Sequence, residues 1–572
     1  HLETYLSTYF SPNTHLTGEA LGLYYLGTLL PEFRAAARWR ATGRRILLAQ
    51  LERHVRPDGV YFEQSSYYHR YTTDFYTHFC LLAQANGDHI GGLLEEKLQS
   101  LLDHLMYITR PDGRTPMFGD DDGGRLVMLD ERAANDFRVA LSTGAALFGR
   151  ADYKYVSGGA AEEILWLLGG AGLRKFDQLA AHPPATLSRA FPDGGYYVMR
   201  DGWEPTDNYL LIDCGPHGDD NCGHAHADAL AFELTTGGRA VLIDPGTYTY
   251  TGSAALRSAF RSSLAHNTLS IDGESSSVSG GAFTWEHIAR ATTRRFVAHR
   301  RFDFFAGRHD GYERLPSPAT HAREVLFIKG EYWMMRDTIT TAGAHRYQWH
   351  YHFAPHAAPF VRAGPPQRFA GSNETRTAAH ELDILLPGEA AEVHEEEGSV
   401  SECYGARTPA PVVVLSTTGA GSQDFMTFLM PRGKNQPGGV EWREVAATGG
   451  RAFAAFVKDG RDLVMVGSNG RRIDAAPFSS DFAWTWARMG RDELVPEELI
   501  LIDGGYCSLD RREVIKSGQP IGYLIARRVG DEWLVETDAS DMLVFTPPVG
   551  DGRVVINGIP DAAGRQGQLI GR

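Results

Sequence analysis

The sequence has no long apolar run. No stretch of about 18 consecutive apolar residues, the length that a membrane-spanning helix needs, occurs in the chain. We therefore expect no membrane span. The chain begins at His1 without a charged segment followed by an apolar one, so no signal peptide is visible.

Basic charge and cysteine are also scarce. The chain has 56 Lys and Arg residues against 71 Asp and Glu residues, which gives a formal net charge of -15. Because nucleic-acid-binding proteins place Lys and Arg against phosphates, this balance argues against a nucleic-acid partner. The five cysteines are scattered without Cys-x-x-Cys spacing, so we do not expect disulfides to form the framework of the fold.

What the sequence does contain is an ordinary globular composition. Hydrophobic residues make up 43% and charged residues 22% of the 572 residues, close to the average of soluble globular domains. A chain of this length is too long for one hydrophobic core, and the usual domain sizes predict about three folding units.

Up to about residue 180, apolar residues recur with the spacing of α-helices. Two of the intervening loops carry the same tetrapeptide, Arg-Pro-Asp-Gly, in which proline ends a helix and glycine permits a left-handed turn. This repetition predicts stacked helix pairs, as in an α/α toroid. The helices are too few to close a toroid, so we expect this domain, residues 1–184, to be N-terminally truncated. The predicted helices are Leu16–Leu30, Ala35–Val55, Tyr67–Gln84, Leu93–Ile108, Ala133–Phe148 and Glu162–Leu168.

Beyond residue 184 the pattern changes to short alternating runs separated by Gly, Asp and Asn turns, which is typical of antiparallel strands. We predict an antiparallel β-sandwich over residues 185–503 and a small C-terminal β module over residues 504–572. The predicted fold class is therefore multidomain α + β, with the helices first and the strands afterwards.

The densest polar cluster is the segment Gly-His-Ala-His-Ala-Asp at residues 223–228. In a strand, His224, His226 and Asp228 would share one face. Asp244 and His266 lie at the ends of the next two apolar runs. His and Asp ligands from neighbouring strands suit zinc. A hydrogen-bonded histidine network without metal fits the spacing equally well.

A second candidate set lies in the helical half. Asn13 and His15 precede one predicted helix, and Glu63 to His69 lead into another. Both sets are therefore expected at one end of the helical layer. Taken alone, a Tyr or a His at a helix start is more often a packing or capping residue.

Five separated motifs extend these two clusters over most of residues 1–350. They are S-P-N-T-H-L-T-G-E-A at 11–20, D-G-V-Y-F-E-Q-S-S-Y-Y-H at 58–69, G-H-A-H-A-D-A-L at 223–230, D-P-G-T-Y-T-Y at 244–250 and H-N-T-L at 266–269. In this order they resemble the heparinase II/III-type polysaccharide lyases. The helical-then-β organisation agrees with that family's α/α toroid followed by an antiparallel sandwich.

The resemblance implies an enzyme that cleaves a uronic-acid-containing polysaccharide by β-elimination and gives 4,5-unsaturated products. The partner would be an anionic polysaccharide: a glycosaminoglycan, alginate or an exopolysaccharide. The resemblance also implies a periplasmic or secreted location.

The same resemblance assigns catalytic roles. Tyr68 matches the tyrosine that acts as base, acid or both, and positive neighbours would have to lower its pKa from about 10 for the base role. His224 and the region of Asn13 and His15 match the groups that neutralise the substrate carboxylate. Because Thr14 stands where many relatives have Asn, we expect His15 to matter more than Asn13. Tyr250 matches a further tyrosine at the cleft.

Two further sets follow from the resemblance. Glu63, His69, Tyr248 and Arg261 are candidate substrate contacts, and Arg261 belongs to a run of arginines that could form a local basic surface. His226, Asp244 and His266 match the ligands of one structural zinc ion. A zinc there would fix the segment that carries His224.

Two other functions compete with a lyase. A metal-dependent hydrolase would explain His-x-His followed by Asp, but such sites usually lie on barrel strands that alternate with helices, whereas here the helices come first. A non-catalytic glycan-binding or assembly protein would explain the aromatic residues and a helical groove. It would leave Tyr68 and the histidines without a reason to converge.

Overall fold

The computed structural model describes residues 1–9, 11–362, 367–373, 381–387, 391–432, 440, 442–457, 460–468, 470–490, 495–538, 543–548, 552–557, 559–560 and 567–568. The chain forms two compact units. The first comprises His1–Arg362, Phe369–Ile384 and Ala391–Gly433; the second comprises Ala363–Arg368, Leu385–Ala390 and Lys434–Arg572.

The first unit begins with helices, close to where apolar spacing predicts them. The one between Phe148 and Glu162 was not predicted, because seven residues are too few to show helical periodicity. The sixth predicted helix ends at Leu168 as expected, because the backbone of Gly169 is not helical, with φ 65° and ψ -171°; a further helical stretch beyond this kink reaches Gln178. The helices are α1 (Thr14–Leu29), α2 (Ala36–His54), α3 (Ser66–Ala85), α4 (Gly92–Ile108), α5 (Arg138–Phe148), α6 (Ala151–Ser157), α7 (Glu162–Gln178) and α8 (Ala254–Phe260).

The first sheet packs directly on the helical layer. Its five antiparallel strands are β1 (Arg189–Phe191), β2 (Tyr196–Arg200), β3 (Tyr209–Asp213), β4 (Phe232–Thr236) and β5 (Arg239–Leu242), paired in chain order. Tyr196 and Tyr209 of this sheet belong to the same buried cluster as Tyr24, Phe79 and Leu105 of the helices. The predicted boundary after residue 184 therefore separates helices from strands, but the two layers share one core.

The strands that follow form an eight-stranded sheet, a four-stranded sheet and a hairpin. They are β6 (Leu269–Ile271), β7 (Val278–Gly281), β8 (Thr284–His287), β9 (Ala291–Ala298), β10 (Phe302–His309), β11 (Ala319–Ile328), β12 (Tyr332–Thr341), β13 (Ala344–His352), β14 (Ala357–Arg362), β15 (Gln367–Asn373), β16 (Glu381–Leu386), β17 (Glu392–Cys403), β18 (Ala406–Ala420) and β19 (Gln423–Arg432). One sheet has the order β14-β15-β16-β19-β12-β11-β10-β9 and the other β17-β18-β13-β6, while β7 pairs with β8 alone.

The second unit contains one sheet with a core of its own, which includes Leu463, Leu501 and Leu524. Its pairing is antiparallel except between two strands, where Glu532 to Val535 pairs in parallel with Arg553 to Ile556. Its strands are β20 (Arg443–Val445), β21 (Gly450–Val457), β22 (Gly460–Gly467), β23 (Ile473–Ala475), β24 (Phe478–Ser480), β25 (Trp484–Met489), β26 (Pro496–Leu509), β27 (Arg512–Val529), β28 (Glu532–Thr537), β29 (Leu543–Phe545), β30 (Arg553–Ile556), β31 (Ile559–Pro560) and β32 (Gly567–Gln568).

The predicted boundary between residues 503 and 504 is corrected by this sheet. Residue 504 lies inside β26, and the main part of the second unit begins at Lys434. The glycine pair at 504–505 indicated a break, but it marks a register shift between Gly504 and Tyr506 within a continuous strand. Such an irregularity bends a strand without ending it.

Membrane insertion through a helix is not indicated. Within the described ranges, no helix combines the length and the apolar character needed to cross a bilayer.

Candidate active site

One corner of the site joins the starts of two helical segments. The Asn13 side chain caps α1 by accepting from the backbone N–H of His15, at 3.1 Å. Its Nδ2 donates to Oε1 of Glu63 at 2.6 Å, and the Thr14 hydroxyl donates to Oε2 of the same carboxylate. Asn13 and Glu63 are both buried, so helix capping fixes the amide against the carboxylate.

A pair of phenols lies beside this corner. Tyr68, in the first turn of α3, donates to Oδ2 of Asp122 at 2.9 Å, and its hydroxyl lies 3.1 Å from that of Tyr250. The hydroxyl of Ser65 caps α3 by accepting from the Tyr68 backbone N–H at 3.1 Å. The phenol therefore projects from a rigid helix start.

His224 connects the two parts of the site. Its ring stacks on that of Tyr68, with centroids 4.1 Å apart and planes 28° apart. Its Nδ1 lies 3.0 Å from Oδ2 of Asp120, and its Nε2 lies 3.6 Å from Oε1 of Glu63. The imidazole and the Asn13 amide thus face the same carboxylate oxygen.

Asp120 is the hub of the network. It is fully buried, and its carboxylate accepts from both Nη1 and Nη2 of Arg257, the latter at 2.7 Å. It also bonds both imidazoles of the His-x-His pair, at 3.0 Å each. Burial alone would raise the pKa of Asp120, but the Arg257 charge and these hydrogen bonds hold it well below its usual range.

Neither Asp120 nor Arg257 was among the predicted site residues. The sequence carried one signal, the run of three aspartates at 120–122 that follows Gly119. Gly119 has φ 69°, and a Cβ there would lie 2.4 Å from the Gln64 carbonyl oxygen. Only glycine fits this close approach, which brings the aspartates against the start of α3.

The predicted strand through the His-x-His segment is absent. Residues 223–231 form an irregular, turn-rich segment that precedes β4. His224 and His226 still converge, because both bond the carboxylate of Asp120 rather than because strand geometry aligns them.

The local charges act on both catalytic candidates. Burial raises the pKa of Tyr68 well above its ordinary value, and the Asp122 charge raises it further. The lowering by positive neighbours that the base role would require is therefore not present in the free protein. Burial lowers the pKa of His224, but the hydrogen bond with Asp120 and the charges of Glu63 and Asp120 outweigh it and raise the pKa overall.

Two predicted residues lie away from this network. His15 is exposed at the start of α1, and Asn13 rather than His15 makes the contacts with Glu63. His69 is buried in the helical core, where its Nε2 lies 2.9 Å from the Leu101 carbonyl oxygen. One step along a helix turns a side chain by about 100°, which separates His69 from Tyr68.

Two predicted substrate-binding residues, Tyr248 and Arg261, contact side chains and backbone groups outside the phenol pair. The Tyr248 ring lies 6.1 Å from Phe260 and beneath the Arg407 guanidinium. Arg261 is 1% exposed and donates to the carbonyl oxygens of Gly281 and Ala282, each at 2.9 Å. Neither contacts the phenol pair in the free protein, and a role in substrate binding stays a prediction for both.

The three predicted metal ligands do converge. One potential ligand atom from each of His226, Asp244 and His266 lies within 4.8 Å of the others. Nδ1 of His226 and Nε2 of His266 are buried and have no hydrogen-bond partner among the described residues. Because Nε2 of His226 bonds Asp120, its Nδ1 is left to accept, and a buried ring nitrogen of this kind fits a metal ion.

Comparisons with protein families agree with this geometry. The model described as Heparinase II/III N-terminus matches residues 2–137, and the model described as Heparinase II/III-like, C-terminal matches residues 183–442. Together the two models cover both halves of the site, because Asn13, Glu63, Tyr68 and Asp120 lie in the first match and His224 in the second.

Similar proteins and structures are heparin or heparan sulfate lyases. A heparin-sulfate lyase of Pedobacter heparinus is 25% identical over 442 residues, 75% of this chain and 59% of that protein. One of Bacteroides thetaiotaomicron is 26% identical over 348 residues, 58% of this chain and 44% of that protein. The matched part of the chain therefore spans 44% to 59% of the length of these relatives.

The fold resembles solved structures as well. The crystal structure of heparan sulfate lyase HepC from Pedobacter heparinus superposes with a TM-score of 0.63 at 23% identity, over 81% of this chain and 67% of that one. A crystal structure of heparinase III gives 0.64 at 19% identity, over 79% of this chain and 67% of that one. At these identities the likeness establishes the multidomain α + β fold alone.

Proposed function

Because the chain belongs to the heparinase II/III-like family, we propose that it is a polysaccharide lyase that cleaves a uronic-acid-containing glycosaminoglycan by β-elimination. The observation that carries the proposal is the arrangement around His224. The Tyr68 ring stacks on the His224 imidazole and its hydroxyl pairs with that of Tyr250, while the Asn13 amide and His224 Nε2 both face Oε1 of Glu63.

The first requirement of the reaction is to neutralise the uronate carboxylate, since negative charge accumulates there as the C5 proton leaves. The Asn13 amide and the His224 imidazole both face one oxygen of Glu63. This corner therefore already accommodates a carboxylate in the free protein. In our proposal the same two groups bind the substrate carboxylate, and Glu63 orients them.

The second requirement is proton transfer. The raised pKa of Tyr68 keeps its phenol protonated at neutral pH. In our proposal Tyr68 gives this proton to the glycosidic oxygen and takes the C5 proton. The C4–O bond breaks, the C4–C5 double bond forms and the phenol is regenerated. The Tyr250 hydroxyl lies 3.1 Å from that of Tyr68, and in our proposal the hydrogen bond between them holds the Tyr68 hydroxyl in position.

We further propose that His226, Asp244 and His266 hold one structural zinc ion. A nitrogen and oxygen ligand set suits zinc, and the two partnerless ring nitrogens support a metal over a purely hydrogen-bonded cluster. Bound zinc would supply a rigid link among three loop segments. The Asp120 carboxylate bonds both His226 and His224, so the link would steady the imidazole without the metal touching substrate.

Other assignments stay predictions. Alginate or an exopolysaccharide as the substrate, and a periplasmic or secreted location, rest on the family resemblance. An assay with heparan sulfate, hyaluronate, chondroitin, alginate and bacterial exopolysaccharides, followed by ultraviolet absorbance of the unsaturated product and by product sizing, separates these substrates.

The decisive variant is Tyr68→Phe, which removes only the phenolic oxygen. We expect turnover to fall by about 10²–10⁴-fold, the range for general acid–base groups, with substrate binding retained. Tyr67→Phe is the matched control, because it removes the same atom from the neighbouring residue of α3, whose ring packs on Phe137. Equal losses in both variants, or binding of every polymer without new absorbance, would contradict the lyase proposal.

A further inference from the structure

The β7–β8 hairpin is fastened to the site by two arginines. Nε of Arg257 donates to the Ala282 carbonyl oxygen at 2.9 Å, while the same guanidinium binds Asp120. Nη1 of Arg261 donates to the carbonyl oxygens of Gly281 and Ala282. The tip of the hairpin is therefore held through its backbone carbonyl groups. A substitution at residue 283 leaves these hydrogen bonds in place.

A second attachment ties the hairpin to the segment that carries His224. Nε1 of Trp285 donates to the Cys222 carbonyl oxygen at 2.9 Å, and the Arg261 guanidinium lies 4.1 Å from the Trp285 ring centroid. Cys222 has φ 51°, a left-handed backbone conformation that residues other than Gly, Asn and Asp rarely adopt. The hydrogen bond from Trp285 helps to hold this conformation two residues before His224.

These attachments place Phe283 against two site residues. Its ring lies 5.0 Å from that of Tyr250 at an interplanar angle of 77°, and 5.9 Å from that of His224 at 73°. Both are edge-to-face arrangements, which restrict ring orientation. Arg257 adds a third contact, since its guanidinium lies 4.8 Å from the Tyr250 centroid and 5.4 Å from that of Phe283.

We propose that Phe283 is a positioning residue of the lyase site, which holds the Tyr250 phenol against Tyr68 and fixes the second side of the His224 ring. The proposal rests on the proposed function. The Tyr68 ring stacks on the His224 imidazole, and Asp120 bonds its Nδ1. Phe283 adds a third contact that limits the orientation of this ring. The Tyr250 backbone N–H donates to the Tyr404 hydroxyl, and the Tyr250 ring is confined by Phe283, Tyr404 and Arg257.

The test is Phe283→Ala, compared with Phe283→Leu and with Thr284→Ala as a control on the same hairpin. Thr284 is exposed. For Phe283→Ala we expect kcat to fall about 10- to 100-fold while KM changes little, since misplaced reacting groups cost about that much. Phe283→Leu fills most of the space and should recover part of the loss. Thr284→Ala should match wild type, and all three should unfold at similar temperatures.

A second readout does not depend on turnover. In a crystal structure of Phe283→Ala, the Tyr250 and Tyr68 hydroxyls should separate beyond hydrogen-bond distance, whereas in Thr284→Ala they should remain paired. A rise in KM without loss of kcat would make Phe283 a substrate-binding surface and overturn the positioning role, as would an unchanged phenol pair. If wild-type protein cleaves no polymer, the proposed function fails, and the phenol geometry still decides the role of Phe283.

Discussion

Asp120→Ala is the perturbation that best tests the site network. The substitution removes the acceptor shared by Arg257, His224 and His226. Arg257 is 2% exposed, so its guanidinium would be left buried without a carboxylate. Removing one partner of a buried ion pair costs about 3–5 kcal/mol, and we expect a loss of that size in the free energy of unfolding.

The double variant Asp120→Ala with Arg257→Ala measures the coupling. If the two side chains stabilise the protein mainly through each other, the double variant should lose less than the sum of the single variants, by about 0.5–3 kcal/mol. Urea unfolding of the four proteins at neutral pH gives these values. Strictly additive losses, or a loss below about 1 kcal/mol for Asp120→Ala, would refute the view that this pair organises the site.

The same variants carry a functional prediction. Without Asp120, neither imidazole has its acceptor, so His224 loses its fixed orientation. We expect turnover of Asp120→Ala to fall about 100-fold or more even under conditions where the protein is folded, because a small misplacement of a reacting group has that effect. Asp120→Asn keeps the size of the side chain and should lose less stability, since its amide oxygen can still accept one hydrogen bond.

Three further predictions concern single groups. Asn13→Ala should reduce turnover by about 10²-fold or more while His15→Ala reduces it far less, because Asn13 binds Glu63 and His15 is exposed; equal effects in steady-state assays would return the neutralising role to His15. Burial raises the pKa of Asp121 to about 7, so its stabilising contribution is complete below its unfolded value of 3.8 and is lost as pH rises through about 7. Asp121→Asn should therefore gain up to about 4 kcal/mol over wild type at pH 8.5 and only about 1.5 kcal/mol at pH 5, and urea unfolding that shows the same difference at both values contradicts this. Purified protein should contain zinc near one equivalent, and His266→Ala should lower both zinc content and thermal stability; metal-free protein of full stability would leave a hydrogen-bonded cluster.

Much of the helical half followed from local sequence. Apolar periodicity together with the stop signals after α2 and α4 placed four helices within one or two residues, because amphipathic spacing and proline act over a single turn. The seven-residue α6 and the part of α7 beyond the kink at Gly169 did not follow, since short and glycine-containing helices carry weak periodicity. The glycines at 504 and 505 led to a wrong prediction of the domain boundary, because glycine occurs both in turns and in strand irregularities.

The candidate site, too, could be predicted from the sequence only in part. The order of the five motifs, and the family resemblance that they carry, singled out Tyr68, His224 and the trio His226, Asp244 and His266, whereas residue type alone was as compatible with structural roles. The sequence by itself therefore determined which groups are available. It favoured His15 over Asn13, whereas in the structure Asn13 is buried and His15 is exposed.

Tertiary structure decided which of these groups act on one another. Asp120 reaches both imidazoles and Arg257 across separations of more than 100 residues along the chain, and no local pattern reports such a contact. Phe283 reaches Tyr250 only because two arginines fix the hairpin. The direction of the Tyr68 pKa shift was likewise set by folding, because burial and the approach of Asp122 exist only after the helical layer and the aspartate loop have packed together. The sequence determines which functional groups are present, whereas their burial and their charged neighbours arise from contacts between distant segments.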